Sequence, residues 1–182
     1  MNIDDYVKSA FVSFEYLLIA IDSCAYCPPM AEERMAISEL RKLEGRKIIL
    51  LETTESVAKE MKGMISNRLL RKPLEDSLIA GTNIDEGKRK AIKEILFPAK
   101  SNLKKSDQSD VEHIVQACSC GFNLFVTFNL KHLIGDEGKI RDKIYNEFKL
   151  YIVTPRECLE IVKKLEKMEF FGDIRGEFLD RF

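Results

Sequence analysis

The sequence predicts an α/β domain in which helices layer against a mainly parallel sheet. Three observations carry this. First, four short apolar runs, YLLIAID (16–22), KIILLE (47–52), NLFVTF (123–128) and KLYIVT (149–154), are too short for helices and lack period-2 alternation. They are also rich in β-branched and aromatic residues, as strands covered on both faces are. Second, stretches of helical spacing lie between these runs, and strands that alternate with helices pair in parallel through crossovers. Third, 182 residues with 45% hydrophobic side chains suit a single domain with a sizeable core.

Taken in order, the opening MNIDDYVKSAFVSF is acidic where a secretory signal would be basic. No apolar run approaches the roughly 18 residues that cross a bilayer, so the expectation is a soluble, cytoplasmic chain with no membrane partner. Basic and acidic residues number 29 and 30, a net charge of -1. The whole chain is thus not a polycation seeking nucleic acid, although a local basic patch remains allowed. A helix follows the first strand, from about Ala31 to Leu43. The next runs from Thr54 to about Leu70, with Val57, Met61, Met64 and Ile65 on one stripe. Residues 73–97 read as helical, broken near Gly81-Thr82-Asn83. A further helix begins near Ser109, carries Val111, Ile114, Val115 and Cys118 on one stripe, and stops at Gly121. The last opens TPRE, with Thr154 as cap, Pro155 in the first turn and Glu157 completing a capping box. The expected organisation is one domain over 1–182: a core over about 16–168, a helical insertion at about 70–100, and an aromatic-rich tail, 169–182. That tail packs on the body or on a second subunit of a homodimer.

Two chemistries compete in LLIAIDSCAYCPPM (17–30). Cys24 and Cys27 form a Cys-x-x-Cys after a strand, the thioredoxin arrangement. A thioredoxin-like fold, however, sets a cis-proline before a strand, whereas Thr154-Pro155 follows one. Zinc bound by Cys24, Cys27, Cys118 and Cys120 meets a different obstacle, because a C-x-C on a helix points its sulfurs about 200° apart. Five cysteines, an odd number, read as reduced thiols filling space. The alternative is Asp22. Ligands of open α/β sheets sit beyond the carboxyl ends of the strands, and Asp22 stands at such an end.

Asp22 gains weight from companions. On the helix after the second strand, Glu60 borders the apolar stripe, about 60° from Val57, whereas Glu55 faces solvent. In SDQSDVEHIVQACSCG, Asp110 flanks the core side of the first turn, and Asp107 projects similarly if the helix reaches it. Both also suit the general preference for acids at a helix N-terminus. Carboxylates converging on one cleft repel, and a hard cation is what keeps such a cluster together. Oxygen ligands select Mg²⁺ or Mn²⁺, ions that activate water for phosphoryl displacement.

DVEHIVQACSCGFNLFVTFNLKHL (110–133) is similar to the third-strand region of PIN-domain proteins: an aspartate, histidine at i+3, alanine at i+7, a glycine, an apolar strand, then T-x-N-x-x-H. LLIAIDSCAY resembles the family's first strand, TTESVAKE its second acidic segment, and LYIVTPRECL its last strand and helix start. The resemblance touches most of 16–165, with no counterpart for 70–100 or the tail. It implies a three-layer α/β/α sandwich and a Mg²⁺- or Mn²⁺-dependent endoribonuclease. Its partners would be RNA, single-stranded or structured, and an antitoxin-type protein, since many members are toxins of toxin–antitoxin pairs. Asp22, Glu60 and Asp110 fall on the acidic, metal-binding positions that carry activity. The fourth acid is replaced by Asn129, which coordinates without charge, and Asp107 stands near enough in sequence to compensate. Thr127 either orients a ligand or bonds locally. His113, about 200° from Val111, reads as a surface or helix-packing histidine, and His132 with Lys131 either as a phosphate contact or as a solvated loop. Basic residues gather at Arg68, Arg71 and Lys72, at Lys88, Arg89, Lys90 and Lys93, and at Lys100, Lys104 and Lys105. The last group is the first place to seek RNA contact. The alternative function is a PIN-like binding or regulatory module that no longer cleaves; a thioredoxin-like thiol enzyme stands third.

Overall fold

The computed structural model describes residues 1–13, 17–26, 28–45, 49–63, 78–80, 84–98 and 100–168. The chain runs α1 (Ile3–Ser13), β1 (Leu18–Ile21), a 3-10 turn (Ser23–Ala25), α2 (Ala31–Gly45), β2 (Leu50–Thr54), α3 (Glu55–Gly63) and β3 (Leu78–Ala80). It continues through α4 (Glu86–Leu96), α5 (Lys105–Ser119), β4 (Leu124–Val126), a π-helical turn (Leu130–Ile134), α6 (Lys139–Phe148), β5 (Tyr151–Val153) and α7 (Pro155–Lys167).

The five strands form one sheet in the order β3-β2-β1-β4-β5, and every neighbouring pair is parallel. The apolar runs lack alternation because helices cover both faces. Ile19, Ile21, Leu124, Val126, Tyr151 and Val153 point into a cluster shared with α1, α2 and α7. Their neighbours Ala20, Phe125 and Ile152 point into a second cluster with α4, α5 and α6. The result is a three-layer α/β/α sandwich. Tyr6 of α1 stacks on Tyr151 with ring centroids 4.5 Å apart, which ties the N-terminal helix to the last strand.

Local signals account for most boundaries. Thr154 accepts from the Glu157 N–H at 3.2 Å and Glu157 Oε2 accepts from the Thr154 N–H at 2.8 Å, so the capping box forms with Pro155 in the first turn. Gly121 takes φ +76° just beyond α5, a left-handed conformation that favours glycine.

Three expectations change. Leu78–Ala80 is an edge strand, not helix: it pairs in parallel with Glu52, Thr53 and Thr54, and that ladder overrides the helical reading of 73–97, which holds from Glu86. α5 starts at Lys105, one turn before Ser109, and so takes Asp107 into its first turn. Neither α1 nor α6 is anticipated by the four apolar runs. Several sequence expectations lie outside the described residues: Cys27, the stretch with Met64, Ile65, Arg68, Arg71 and Lys72, the break at 81–83, and the tail 169–182. Among the described residues no helix is long and apolar enough to cross a membrane.

Candidate metal centre

In this sheet the strand order reverses at β1: the chain steps outward through β2 and β3, then returns to lay β4 and β5 on the other side. A parallel sheet opens a crevice at such a point, beyond the carboxyl ends of its strands. Asp22 closes β1 there, and Thr127 and Asn129 follow β4. The Asp22 N–H donates to Val126 O at 2.9 Å, which fixes the carboxylate over the β1–β4 junction.

Asp22 is 4% exposed, and its two oxygens face different neighbours. Oδ2 accepts from Thr127 Oγ1 at 2.7 Å and from Cys24 Sγ at 3.1 Å. Oδ1 accepts from the Ser23 N–H at 2.7 Å and looks toward α3 and α5. Thr127 thus orients the carboxylate, one of the two roles open to it in the sequence. Its Oγ1 also accepts from the Asn129 N–H at 3.0 Å.

Glu60 reaches the same place from α3, because Val57 and Met61 bury the adjoining stripe at 0% and 1% exposure and turn Glu60 toward β1. Ser23 Oγ donates to Glu60 Oε2 at 3.1 Å. Glu55, by contrast, is drawn to Lys59 at 2.8 Å on the outer face.

The third member is His113. The helical wheel puts it opposite the apolar stripe, yet it is 3% exposed. α5 is covered twice, by the sheet on one side and by α3 on the other, where Gln116 Oε1 accepts from the Ser56 N–H at 2.7 Å. Packed at this interface, His113 sets Nε2 3.3 Å from Glu60 Oε2 and Nδ1 3.6 Å from Asp22 Oδ1. Nδ1 is buried with no hydrogen-bond partner. Ligand atoms of Asp22, Glu60 and His113 all lie within 4.8 Å of one another, close enough to hold one metal ion. Two buried or half-buried carboxylates beside an imidazole nitrogen that has no hydrogen-bond partner fit a cation, since like charges at this spacing repel and the nitrogen is left unsatisfied.

The other predicted acids stand apart from this trio. Both oxygens of Asp110 are engaged: Oδ1 accepts from Asn129 Nδ2 at 3.0 Å and Oδ2 lies 3.1 Å from His132 Nδ1. Burial pushes its carboxyl above the usual range; His132 opposes that shift and the nearby charge of Asp22 adds to it. Asp110 therefore senses the centre without joining the three-atom group. Asn129 turns its amide nitrogen to Asp110, and its Oδ1 accepts weakly from the His132 N–H at 3.4 Å. His132 is consequently half-buried and engaged rather than a solvated loop residue. Asp107, 5% exposed, bonds to Lys100 Nζ at 3.2 Å. Burial alone would raise its carboxyl, but Lys100 brings the net direction below the usual range.

Among the described thiols, Cys158 is wholly buried and fills space in the first cluster; Cys118 and Cys120 are partly buried, and Cys24, exposed as a residue, is engaged through its sulfur with Asp22, Thr127 and Phe128. Cys118 and Cys120 pack at the edge of the second, and they join no metal-binding group among the described residues. Burial, then the charge of Asp22, pushes the Cys24 thiol up to about 12, so it stays protonated and is a poor nucleophile.

Beside His113 opens a cavity of about 590 Å³ whose walls include Lys59, Arg89, Lys93 and Lys105. Arg89 is paired with Glu112 at 2.8 Å. Of the basic group expected to meet RNA, Lys105 faces this cavity while Lys100 is held by Asp107.

Protein-family models, curated proteins and solved structures give no match to this chain.

Proposed function

We propose that this chain is a PIN-like, metal-dependent endoribonuclease that hydrolyses RNA phosphodiester bonds with Mg²⁺ or Mn²⁺. One observation carries the proposal: Asp22 from β1 and Glu60 from α3 meet the buried His113 at the carboxyl edge of the sheet, where its order reverses. A bound dication would supply the nucleophile by acidifying water and would offset charge on the phosphoryl oxygens. The chain's own residues do the rest. Ser23 and Thr127 hold the Asp22 carboxylate in place. Asp110, kept by Asn129 and His132, sets a further carboxyl beside the centre. Lys93 and Lys105 offer cationic charge in the adjoining cavity to a phosphate backbone, in the way that lysines bind nucleic acid without reading sequence. In the overall reaction water's oxygen joins phosphorus, one phosphoester P–O bond breaks, and the departing oxygen leaves as a hydroxyl.

Single-stranded RNA incubated with the purified chain should be cleaved when Mn²⁺ is present and left intact when a chelator is added. Cleavage indifferent to the chelator would remove the proposal. A second reading, a PIN-like module that binds without cutting, is favoured by Asn129, which brings an amide where the resembled family has an acid. It predicts a mobility shift of the RNA with no cleavage in either condition. An antitoxin-type partner and a homodimer stay within either reading as expectations.

A further inference from the structure

We infer that His113 is a nitrogen ligand of this centre, so that the site takes a first-row transition dication, Mn²⁺ upward in affinity, in preference to Mg²⁺. The inference rests on the metal-dependent reading above but adds to it, because the acids on their own select only hard cations.

Three observations carry it. His113 is buried at 3% exposure, and its Nδ1 has no hydrogen-bond partner. A buried nitrogen left so is unfavourable and persists where something else satisfies it. Its direction is the second observation: Nδ1 faces Asp22 Oδ1 at 3.6 Å. Two ligand atoms each about 2.1 Å from one ion stand about 3.0 Å apart at an octahedral edge and about 3.4 Å at a tetrahedral one, so the observed pair needs to close by roughly 0.2 to 0.6 Å to share an ion. Third, Nε2 sits 3.3 Å from Glu60 Oε2. With Nδ1 given to the metal, Nε2 would carry the proton and face that carboxylate. This is the usual arrangement in which a carboxylate fixes the tautomer of a ligating histidine.

The chemical consequence is selectivity. Mg²⁺ holds oxygen ligands and surrenders its water reluctantly, whereas imidazole suits the later first-row ions, with Mn²⁺ at the weak end of their order. Asp22 Oδ2 does not alter this balance, since Thr127 and Cys24 already donate to it.

The test is calorimetric titration of chelator-stripped protein with MnCl₂ and with MgCl₂, together with pulsed electron paramagnetic resonance of the Mn²⁺-loaded protein. The expected result is Mn²⁺ binding at least about tenfold tighter than Mg²⁺, with a nitrogen coupling on the bound Mn²⁺. In His113→Asn the coupling disappears and the Mn²⁺ preference contracts about tenfold. The spectrum of the wild-type chain decides independently of whether His113→Asn folds. Equal binding of the two ions with no nitrogen coupling would overturn the role of His113 and leave the metal-dependent reading standing. Binding of neither ion would overturn both.

Discussion

On the proposed function, Mn²⁺ stabilises the fold and supports RNA cleavage, and Asp22→Asn is expected to abolish the first and lower the second by at least about a hundredfold. The substitution keeps one oxygen, so the Ser23 N–H retains its acceptor, and the Thr127 hydroxyl can turn to accept from the new amide. What disappears is the charge. Asp22 and Glu60 place ligand oxygens within 4.8 Å of each other, and without a cation that proximity is repulsive by on the order of 1 kcal/mol. The metal-free variant should therefore melt at the wild-type temperature or slightly above it, while the rise in melting temperature on adding Mn²⁺ vanishes. Thermal melts with and without the ion check both parts. A variant that still gains stability from Mn²⁺ would place the ion elsewhere.

Phe125→Ala is expected to cost about 3–5 kcal/mol, a large share of the roughly 5–15 kcal/mol that holds a domain together. Phe125 is 0% exposed at the middle of β4 and fills the second cluster against the helices that cover that face, α5 among them. Its removal leaves a cavity under the helix that presents His113 and Asp110, so the variant should lose metal-dependent stabilisation along with the fold. Denaturant titration measures the loss; a shift under about 1 kcal/mol would mean that the cluster collapses around the gap.

Much of this architecture was legible in the sequence because one physical cause, burial on both faces, produces both the unbroken apolar runs and the parallel sheet. YLLIAID and NLFVTF mark β1 and β4, and TPRE marks the start of α7 through side-chain capping that needs no tertiary contact. Leu78–Ala80 was less legible. Three residues cannot display a period, and only the ladder with β2 makes them a strand. In the centre, Asp22 stood out by its place at a strand end and Glu60 by bordering a strong apolar stripe. His113 did not, since a wheel drawn around one stripe assumes that a helix has one buried side. A signal was nonetheless present: His113 and Gln116, at i and i+3, are uncharged and lie on the side of α5 that meets α3. Asn129 shows the opposite case, a residue whose position is legible and whose hydrogen bond to Asp110 is not, because it depends on a turn that brings residues 110 and 129 together.

Diffraction from crystals of this chain soaked in Mn²⁺, with anomalous differences recorded, would locate the ion itself. A single strong peak is predicted about 2.0–2.3 Å from Asp22 Oδ1 and His113 Nδ1, with Glu60 on the Nε2 side of the ring. An empty crevice, or a peak at Asp107 or among surface acids with none between β1 and α5, would contradict it.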